Sequence, residues 1–339
     1  MNENLQSEGE VNAIPRGHMR RNDGSVVVEP FDFGAVVDDV HDSNCVDIDL
    51  GDHVLGLAET SEVELIRPAL QSLKGGLGRW QPPPAQMMIA DPSNSNSWSE
   101  STDKSEWRFC VVRPKPECAT PYYKIEQALR ISDADLMVGP WWRRGANGEV
   151  HALASLQPLI TRMNDVHLAR DHGPFEPHRV QSVVNARASF CEEDFPAIHA
   201  SLDRFLELDI VPVGDLKLLG YFSILESLLS HAPDPSESAD SISRQLKRNL
   251  ILLHNRADKG SGLGFDEVDC RPAKLVSKLY KLRSAVAHGV DPSRATDLLT
   301  QVLPKLSTRR NIDAFVRRMV RRTLVTALVE PRLVTDLKG

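Results

Sequence analysis

The sequence has few cysteines, and their arrangement builds neither a disulfide framework nor a zinc site. Its five cysteines are odd in number, widely scattered and show no Cys-x2-Cys spacing; they are Cys45, Cys110, Cys118, Cys191 and Cys270. A disulfide-stapled scaffold or a zinc ribbon would need a denser and more regular set. The scatter therefore predicts reduced thiols and a cytoplasmic protein.

Long hydrophobic runs are also missing. No apolar stretch approaches the roughly 20 residues that cross a bilayer. Residues 1–10 are polar and acidic, unlike the start of a secretory signal peptide. We therefore expect no membrane association. The chain has 339 residues, 41% of them hydrophobic and 26% charged, which is ordinary for a globular protein and long enough for two domains.

The net charge of -7 conceals an uneven distribution. Residues 241–339 contain 20 lysines and arginines against 9 acidic residues, a net +11, so residues 1–240 carry a net -18. A basic C-terminal third suits a nucleic-acid partner. It is equally compatible with a helical domain that keeps itself soluble with arginines.

The pattern along the chain predicts an α+β protein in three parts. Residues 1–24 are polar and aperiodic, which predicts a disordered tail. Residues 25–190 contain β-branched and aromatic runs at 25–33 and 107–112, which indicate strands in a mixed domain of unknown type. Residues 191–339 show helical periodicity and short connections, typical of an antiparallel bundle. Its helices are predicted near 215–231, 240–255, 272–288, 293–305 and 309–329.

Three local patterns give further predictions for the N-terminal half. Ser61-x-x-Glu64 has the form of a capping box and predicts a helix starting at Ser61. Residues 91–97, continuing to about 105, are polar and predict a loop. Residues 150–165 are predicted to be helical.

Arginine and histidine recur at short spacing near the end of one predicted helix. Leu275, Leu279, Leu282 and Val286 form an apolar stripe, and Gly289 ends it. Arg283 and His288 lie within this segment, about 140° apart on an ideal helix. Three other pairs have similar spacing, Arg162/His167, Arg248/His254 and Arg144/His151. Spacing alone does not choose among the four pairs.

Three sequence blocks resemble the HEPN superfamily of helical ribonucleases, most closely its Apea-like branch. They cover roughly the last 140 residues: Leu218 to Leu229, Ser241 to Leu253, and Leu279-Tyr-Lys-Leu-Arg-Ser-Ala-Val-Ala-His-Gly289. The resemblance implies a HEPN-like bundle and a metal-independent endoribonuclease that uses no cofactor. It implies catalysis by Arg283 and His288 at a homodimer interface, with single-stranded RNA as substrate.

The resemblance also implies a biological setting and supporting residues. Many such proteins are toxins or antiviral effectors, in which the acidic N-terminal domain would sense an unknown trigger. Glu226 lies at the edge of an apolar stripe and needs a partner, either Arg283 or Arg248. Ser284 stands where many family members carry Asn, Asp or His. A catalytically inactive HEPN dimerisation or RNA-binding module is therefore the alternative.

The last long predicted helix combines an apolar stripe with many arginines. Ile312, Phe315, Val316, Met319 and Val320 are predicted to lie in the core. The remaining surface carries six cations, Arg309, Arg310, Arg317, Arg318, Arg321 and Arg322. These arginines could follow an RNA backbone, lie on an anionic membrane or face water.

Two other segments suggest weaker sites. His167, His172 and His178 lie among carboxylates and could bind a metal, as in a metal-dependent hydrolase, but their spacing fits no defined ligand pattern. A surface loop is the expected structure. Trp141 and Trp142 precede two arginines, which is typical of a base-stacking surface but more often of a half-buried strand edge or turn.

Overall fold

The structure is a computed structural model. It describes residues 18–20, 26–28, 33–36, 47–66, 87–91, 94–101, 110–132, 136, 138–144, 150–152, 176–208, 211–212, 214–232, 241–256, 262–268, 270–289, 293 and 308–338. Within these residues the protein is α+β, as predicted, with one larger antiparallel sheet and a mostly helical C-terminal part.

The larger sheet has six strands in the order β10-β9-β3-β8-β5-β4, and every neighbouring pair is antiparallel. Two separate hairpins pair β1 with β2 and β6 with β7. The strands are β1 His18–Arg20, β2 Val26–Val28, β3 Phe33–Val36, β4 Ile48–Asp49, β5 His53–Leu57, β6 Met87–Asp91, β7 Asn94–Ser101, β8 Cys110–Pro114, β9 Val138–Arg144 and β10 Val150–Ala152.

The centre of the six-stranded sheet is covered on both faces. Successive side chains of a strand point to opposite faces, yet Val111 and Val112 of β8 are both fully buried. Trp141 and Trp142 of β9 are buried in the same way, and β9 lies between β10 and β3. The strand interpretation of this segment is therefore confirmed, while an edge position and a base-stacking surface are wrong.

Eight helices carry most of the described core. They are α1 Tyr122–Ile131, α2 Pro177–Ser189, α3 Pro196–Glu207, α4 Asp215–Leu229, α5 Ile242–Arg256, α6 Pro272–Ala287, α7 Arg309–Val329 and α8 Pro331–Lys338. Helix α4 is apolar around most of its circumference and is in contact with α3, α5, α6, α7 and α8. A helix of this composition has to be buried. Helix α4 is thus the centre of the helical part.

The apolar stripe of α7 is core, as predicted: Ile312, Phe315, Val316, Met319 and Val320 are all buried. The same hydrophobic core runs from Ile48 to Val334. It is continuous across the predicted boundary at 190/191, because α1 and α2 precede that boundary and pack against α3 and α7. Among the described residues no helix is both long and apolar enough to cross a membrane.

Three local predictions are wrong. Residues 150–152, expected to begin a helix, form β10 and pair with β9; residues 153–165 lie outside the described residues. The polar segment 94–101, expected to be a loop, is β7. His18–Arg20, within the segment expected to be disordered, pairs with β2. Short polar strands carry no apolar alternation, so only their backbone pairing reveals them.

The helix predicted from Ser61 is present, but its cap is different. Residues 60–66 are helical, and the backbone N–H of Glu59 donates to Oε2 of Glu62 at 2.7 Å. This is the reciprocal half of a capping box, two residues earlier than the predicted one. Glu62 also accepts hydrogen bonds from Arg113 of β8, which fixes the helix to the sheet. The predicted helix at 293–305 lies, apart from Ser293, outside the described residues.

Candidate active site

Helix α6 carries both predicted catalytic residues. Pro272 is its first residue, where the missing N–H costs no hydrogen bond. The helix ends at Ala287, and His288 is the cap: its backbone N–H donates to Ser284 O at 3.0 Å. Gly289 then adopts φ +63°, in the left-handed region that glycine enters without strain. The predicted end of the helix at Gly289 is therefore confirmed.

Arg283 is held at the side of the helix that faces α4. Its Nη2 donates to Oε2 of Glu226 at 3.0 Å. Its guanidinium carbon lies 5.6 Å from the centre of the Tyr280 ring, and that ring packs edge-on against Phe222. The Nε of Arg283 is buried and has no hydrogen-bond partner. Arg283 is thus fixed in place and keeps donors that Glu226 does not use.

Glu226 selects Arg283 rather than Arg248 as its partner. The side chain of Glu226 is 17% exposed and that of Arg283 is 27% exposed, so the ion pair is only partly screened by water. Burial, together with the negative charge of Glu226, raises the pKa of the Tyr280 phenol. Arg248 is exposed and donates from Nε to Asn249 Oδ1 at 3.1 Å. The expected carboxylate–arginine contact is confirmed, and Arg248 is not part of it.

His288 lies exposed at the end of α6. Within the described residues its ring makes no hydrogen bond, and the Ser284 hydroxyl makes none to that ring. Ser284 reaches His288 only through its backbone carbonyl. No contact joins His288 to Arg283 in the chain, as the angle of about 140° between them on a helix requires. One chain therefore does not bring both groups to one point.

The arginines of α7 bind the protein itself. Arg309 forms ion pairs with Asp313 at 3.0 Å and Asp215 at 2.9 Å. Two arginines lie over aromatic rings, Arg317 over Phe205 and Arg318 over Phe315. Two others donate to backbone carbonyls: Arg321, which is 4% exposed, to Ser132 O, and Arg322 to Gly262 O. The side chain of Arg310 lies outside the described residues. Four of the five described arginines thus attach α7 to neighbouring elements, and Arg318 packs against its own helix, so these side chains do not form an open cationic face.

The structure adds no support for the predicted metal site or for the other arginine–histidine pairs. His167 and His172 lie outside the described residues, and His178 is exposed beside Glu176 at 3.6 Å. No group of three or more potential metal ligands is found in the part of the chain that the structure describes. Of the alternative arginine–histidine pairs, the His254 ring packs against Phe265 at 4.9 Å and faces Asp266 at 3.3 Å.

Sequence reasoning missed a polar cluster between α1, α2 and α3. Its centre is Arg187, which is fully buried and donates to Gln127 Oε1 at 2.6 Å and Glu192 Oε1 at 2.5 Å. Gln127 donates in turn to Asp203 Oδ1 at 2.6 Å. His199 lies between the two carboxylates, 3.6 Å from Glu192 and 3.5 Å from Asp203. The cluster ties three helices together through one buried cation.

The pKa values of the two carboxylates of this cluster are shifted in opposite directions. Burial raises the pKa of Asp203 despite the nearby cations. Burial alone would also raise the pKa of Glu192, but its hydrogen bond and charge pairing with Arg187 hold that pKa below the usual value. One signal could have located the cluster: Arg187 completes the helical stripe begun by Val180, Val183 and Val184, a position that is normally apolar.

Comparison with known proteins gives no support for any assignment. No model of a protein family, no curated protein and no solved structure matches this chain significantly.

Proposed function

We propose that this protein is a metal-independent endoribonuclease of the HEPN type, with Arg283 and His288 as its catalytic residues. The observation that carries the proposal is the arrangement at the end of α6. A guanidinium is held rigidly by Glu226 and Tyr280, and an imidazole is presented to solvent one and a half turns later. An imidazole can transfer the protons and a guanidinium can stabilise the phosphate charge, the two functions that cleavage of RNA without a metal requires.

The proposed reaction uses the ribose of the substrate as its own nucleophile. The 2′-hydroxyl attacks the neighbouring phosphate, and the 5′-oxygen leaves, giving a 2′,3′-cyclic phosphate and a 5′-hydroxyl. His288 takes the proton of the attacking 2′-hydroxyl and delivers a proton to the leaving 5′-oxygen, the acid–base role that imidazole performs in many enzymes. Arg283 donates hydrogen bonds to the phosphate oxygens as their negative charge grows in the transition state. DNA lacks the hydroxyl and is not cleaved.

The proposed site requires two chains. Arg283 and His288 diverge on α6, so a single copy does not direct them at one phosphate. A two-fold dimer that packs one α6 against its copy would place His288 of one chain beside Arg283 of the other. We therefore propose a homodimer whose interface includes the end of α6.

The biological role follows only from the HEPN resemblance. We propose a cytoplasmic toxin or antiviral effector that degrades RNA, with the N-terminal part responding to an unidentified trigger.

A second candidate function is a catalytically inactive dimerisation or RNA-binding module. The ion pair itself favours it, because Glu226 neutralises the charge that the phosphate would need. Ser284 also makes no hydrogen bond that would orient the His288 ring within the described chain. The two candidates differ in one measurable property, the chemical cleavage of RNA.

The test is incubation of the purified protein with end-labelled single-stranded RNA in EDTA. The nuclease produces 2′,3′-cyclic phosphate ends, and both His288→Ala and Arg283→Lys abolish them, since lysine offers a point charge in place of a planar fork. His178→Ala, an exposed histidine on α2, is the matched control and retains activity. Intact RNA with wild-type protein, or full cleavage by a variant that carries both His288→Ala and Arg283→Lys, would refute the proposal. Solution mass measured in parallel decides whether a dimer exists.

A further inference from the structure

The exposed side of α6 carries a row of four cations that ends at His288. Arg271, Lys274, Lys278, Lys281 and His288 fall within an arc of about 100° on a regular helix, and they extend over about 25 Å along its axis. Lys278 is partly exposed, and the other four are exposed. The adjacent side of the helix is core, where Leu275, Leu279 and Leu282 are buried. We call the five residues the α6 cationic row.

The α6 cationic row has no counter-charge within the described protein. None of its members forms an ion pair there, and α6 contains no aspartate or glutamate. This distinguishes the row from the described arginines of α7, which bond to carboxylates, carbonyls or rings of the same chain. The α6 cations therefore contribute no attachment within the fold.

The placement of these cations is unfavourable for an isolated helix. Lys274 and Lys278 are four residues apart, and Lys278 and Lys281 are three apart, so like charges face each other on one side. Arg271 and Lys274 also stand at the helix N-terminus, where the helix dipole is already positive. An external anion would relieve both repulsions. Four positive charges along about 15 Å of helix, continued by His288 to about 25 Å, suit a linear polyanion.

We propose that the α6 cationic row binds the sugar-phosphate backbone of single-stranded RNA and leads it to His288. The choice of RNA as the polyanion rests on the function proposed above. A membrane surface fits less well, since the apolar side of α6 is buried in the core and none of its large hydrophobic residues is exposed. The only aromatic residue of α6, Tyr280, packs against Phe222. The contacts are thus to phosphates, and they carry little sequence preference.

The binding experiment is separate from cleavage. A fluorescein-labelled 2′-O-methyl oligouridylate has phosphates but no free 2′-hydroxyl, so it cannot be cut by the proposed reaction. Its affinity for the full-length protein is measured by fluorescence anisotropy at several salt concentrations. The test variant is Lys274→Gln/Lys278→Gln/Lys281→Gln. Because the three lysines lie on the solvent side, thermal unfolding is expected to be unchanged or slightly improved.

The expected result is a large loss confined to this row. Removing three phosphate contacts lowers the slope of log affinity against log salt by about 2, and lowers affinity on the order of 100-fold at about 0.1 M salt. The matched control, Lys115→Gln/Lys247→Gln/Arg332→Gln, removes the same charge from three separate parts of the chain, with Lys115 taken from its ion pair with Asp49. It should produce only a small change, through the general field of the protein.

Each outcome decides the proposal. Equal losses in the test and control variants overturn it, as does wild-type protein that fails to bind the oligouridylate at low salt. Binding to phosphatidylserine vesicles without binding to the oligouridylate overturns it in favour of a membrane surface. Loss of binding in the test variant alone supports it, even if wild-type protein leaves ordinary RNA intact. That last combination would refute the nuclease and keep the RNA-binding row.

Discussion

The ion pair between Glu226 and Arg283 gives the sharpest test of the candidate site. The perturbation is a double-mutant cycle with Glu226→Ala, Arg283→Ala and the double variant. A pair that is fully exposed contributes about 0.2–1 kcal/mol, whereas loss of one member of a buried pair costs about 3–5 kcal/mol. The two side chains are 17% and 27% exposed, and the hydrogen bond measures 3.0 Å. We therefore expect a coupling free energy of about 1–2 kcal/mol.

The measurement is urea unfolding of the wild-type protein and the three variants, monitored by circular dichroism. An unchanged slope with denaturant shows that the same surface unfolds in each variant. Each single variant loses stability, and the second substitution costs less in the presence of the first. Free energies that add to within about 0.3–0.5 kcal/mol would show that the two groups do not interact. That result would remove the reason for treating Arg283 as a positioned guanidinium.

Two further predictions concern the helical core. Burial raises the pKa of Asp313 from 3.8 to about 6 although Arg309 opposes the shift. The folded state then binds the extra proton between about pH 4 and 6, so stability falls as pH rises through this window. Asp313→Asn should flatten this pH dependence and raise the free energy of unfolding by at most about 3 kcal/mol at pH 7.5. Thermal unfolding at a series of pH values measures both effects, and an unchanged pH profile contradicts the prediction. A Cβ at Gly220 would lie 2.3 Å from Leu208 Cδ2. Crowding of Leu208 costs about 1–3 kcal/mol, and the preference of a helix for alanine over glycine returns about 1 kcal/mol. Gly220→Ala should therefore cost up to about 2 kcal/mol in urea unfolding, and Leu208→Ala should cost less in that background than alone; an equal cost of Leu208→Ala in both backgrounds contradicts it.

Helix α6 was predictable because its signals are local. The stripe of Leu275, Leu279 and Leu282 sets the buried side, and Gly289 sets the end. The need of Glu226 for a cationic partner was predictable as well, since a carboxylate beside an apolar stripe is costly without one. Whether Glu226 pairs with Arg283 or with Arg248 depends on the way α6 and α5 pack against α4, and only the tertiary structure shows this packing.

The arginines of α7 show where a sequence pattern is insufficient. Around a helix wheel they look like a solvated cationic surface. The structure buries Arg321 against the carbonyl of Ser132, which is 189 residues away in the chain. A helix that is packed on several sides has little solvent face to offer, and sequence periodicity records only which residues share a side. The cations on α6 remain exposed because one side of that helix has no neighbour among the described elements.

The sequence by itself determined the α+β class, helices α4 to α7, the apolar stripes of α6 and α7, and the end of α6. These features depend on contacts within a few residues, where spacing and composition act directly. Only the tertiary structure decided the strands β7 and β10, the buried Arg187 cluster and the assignment of each arginine to a partner or to solvent. Those features depend on groups far apart in the chain, whose free energies arise from burial and pairing that no local pattern encodes.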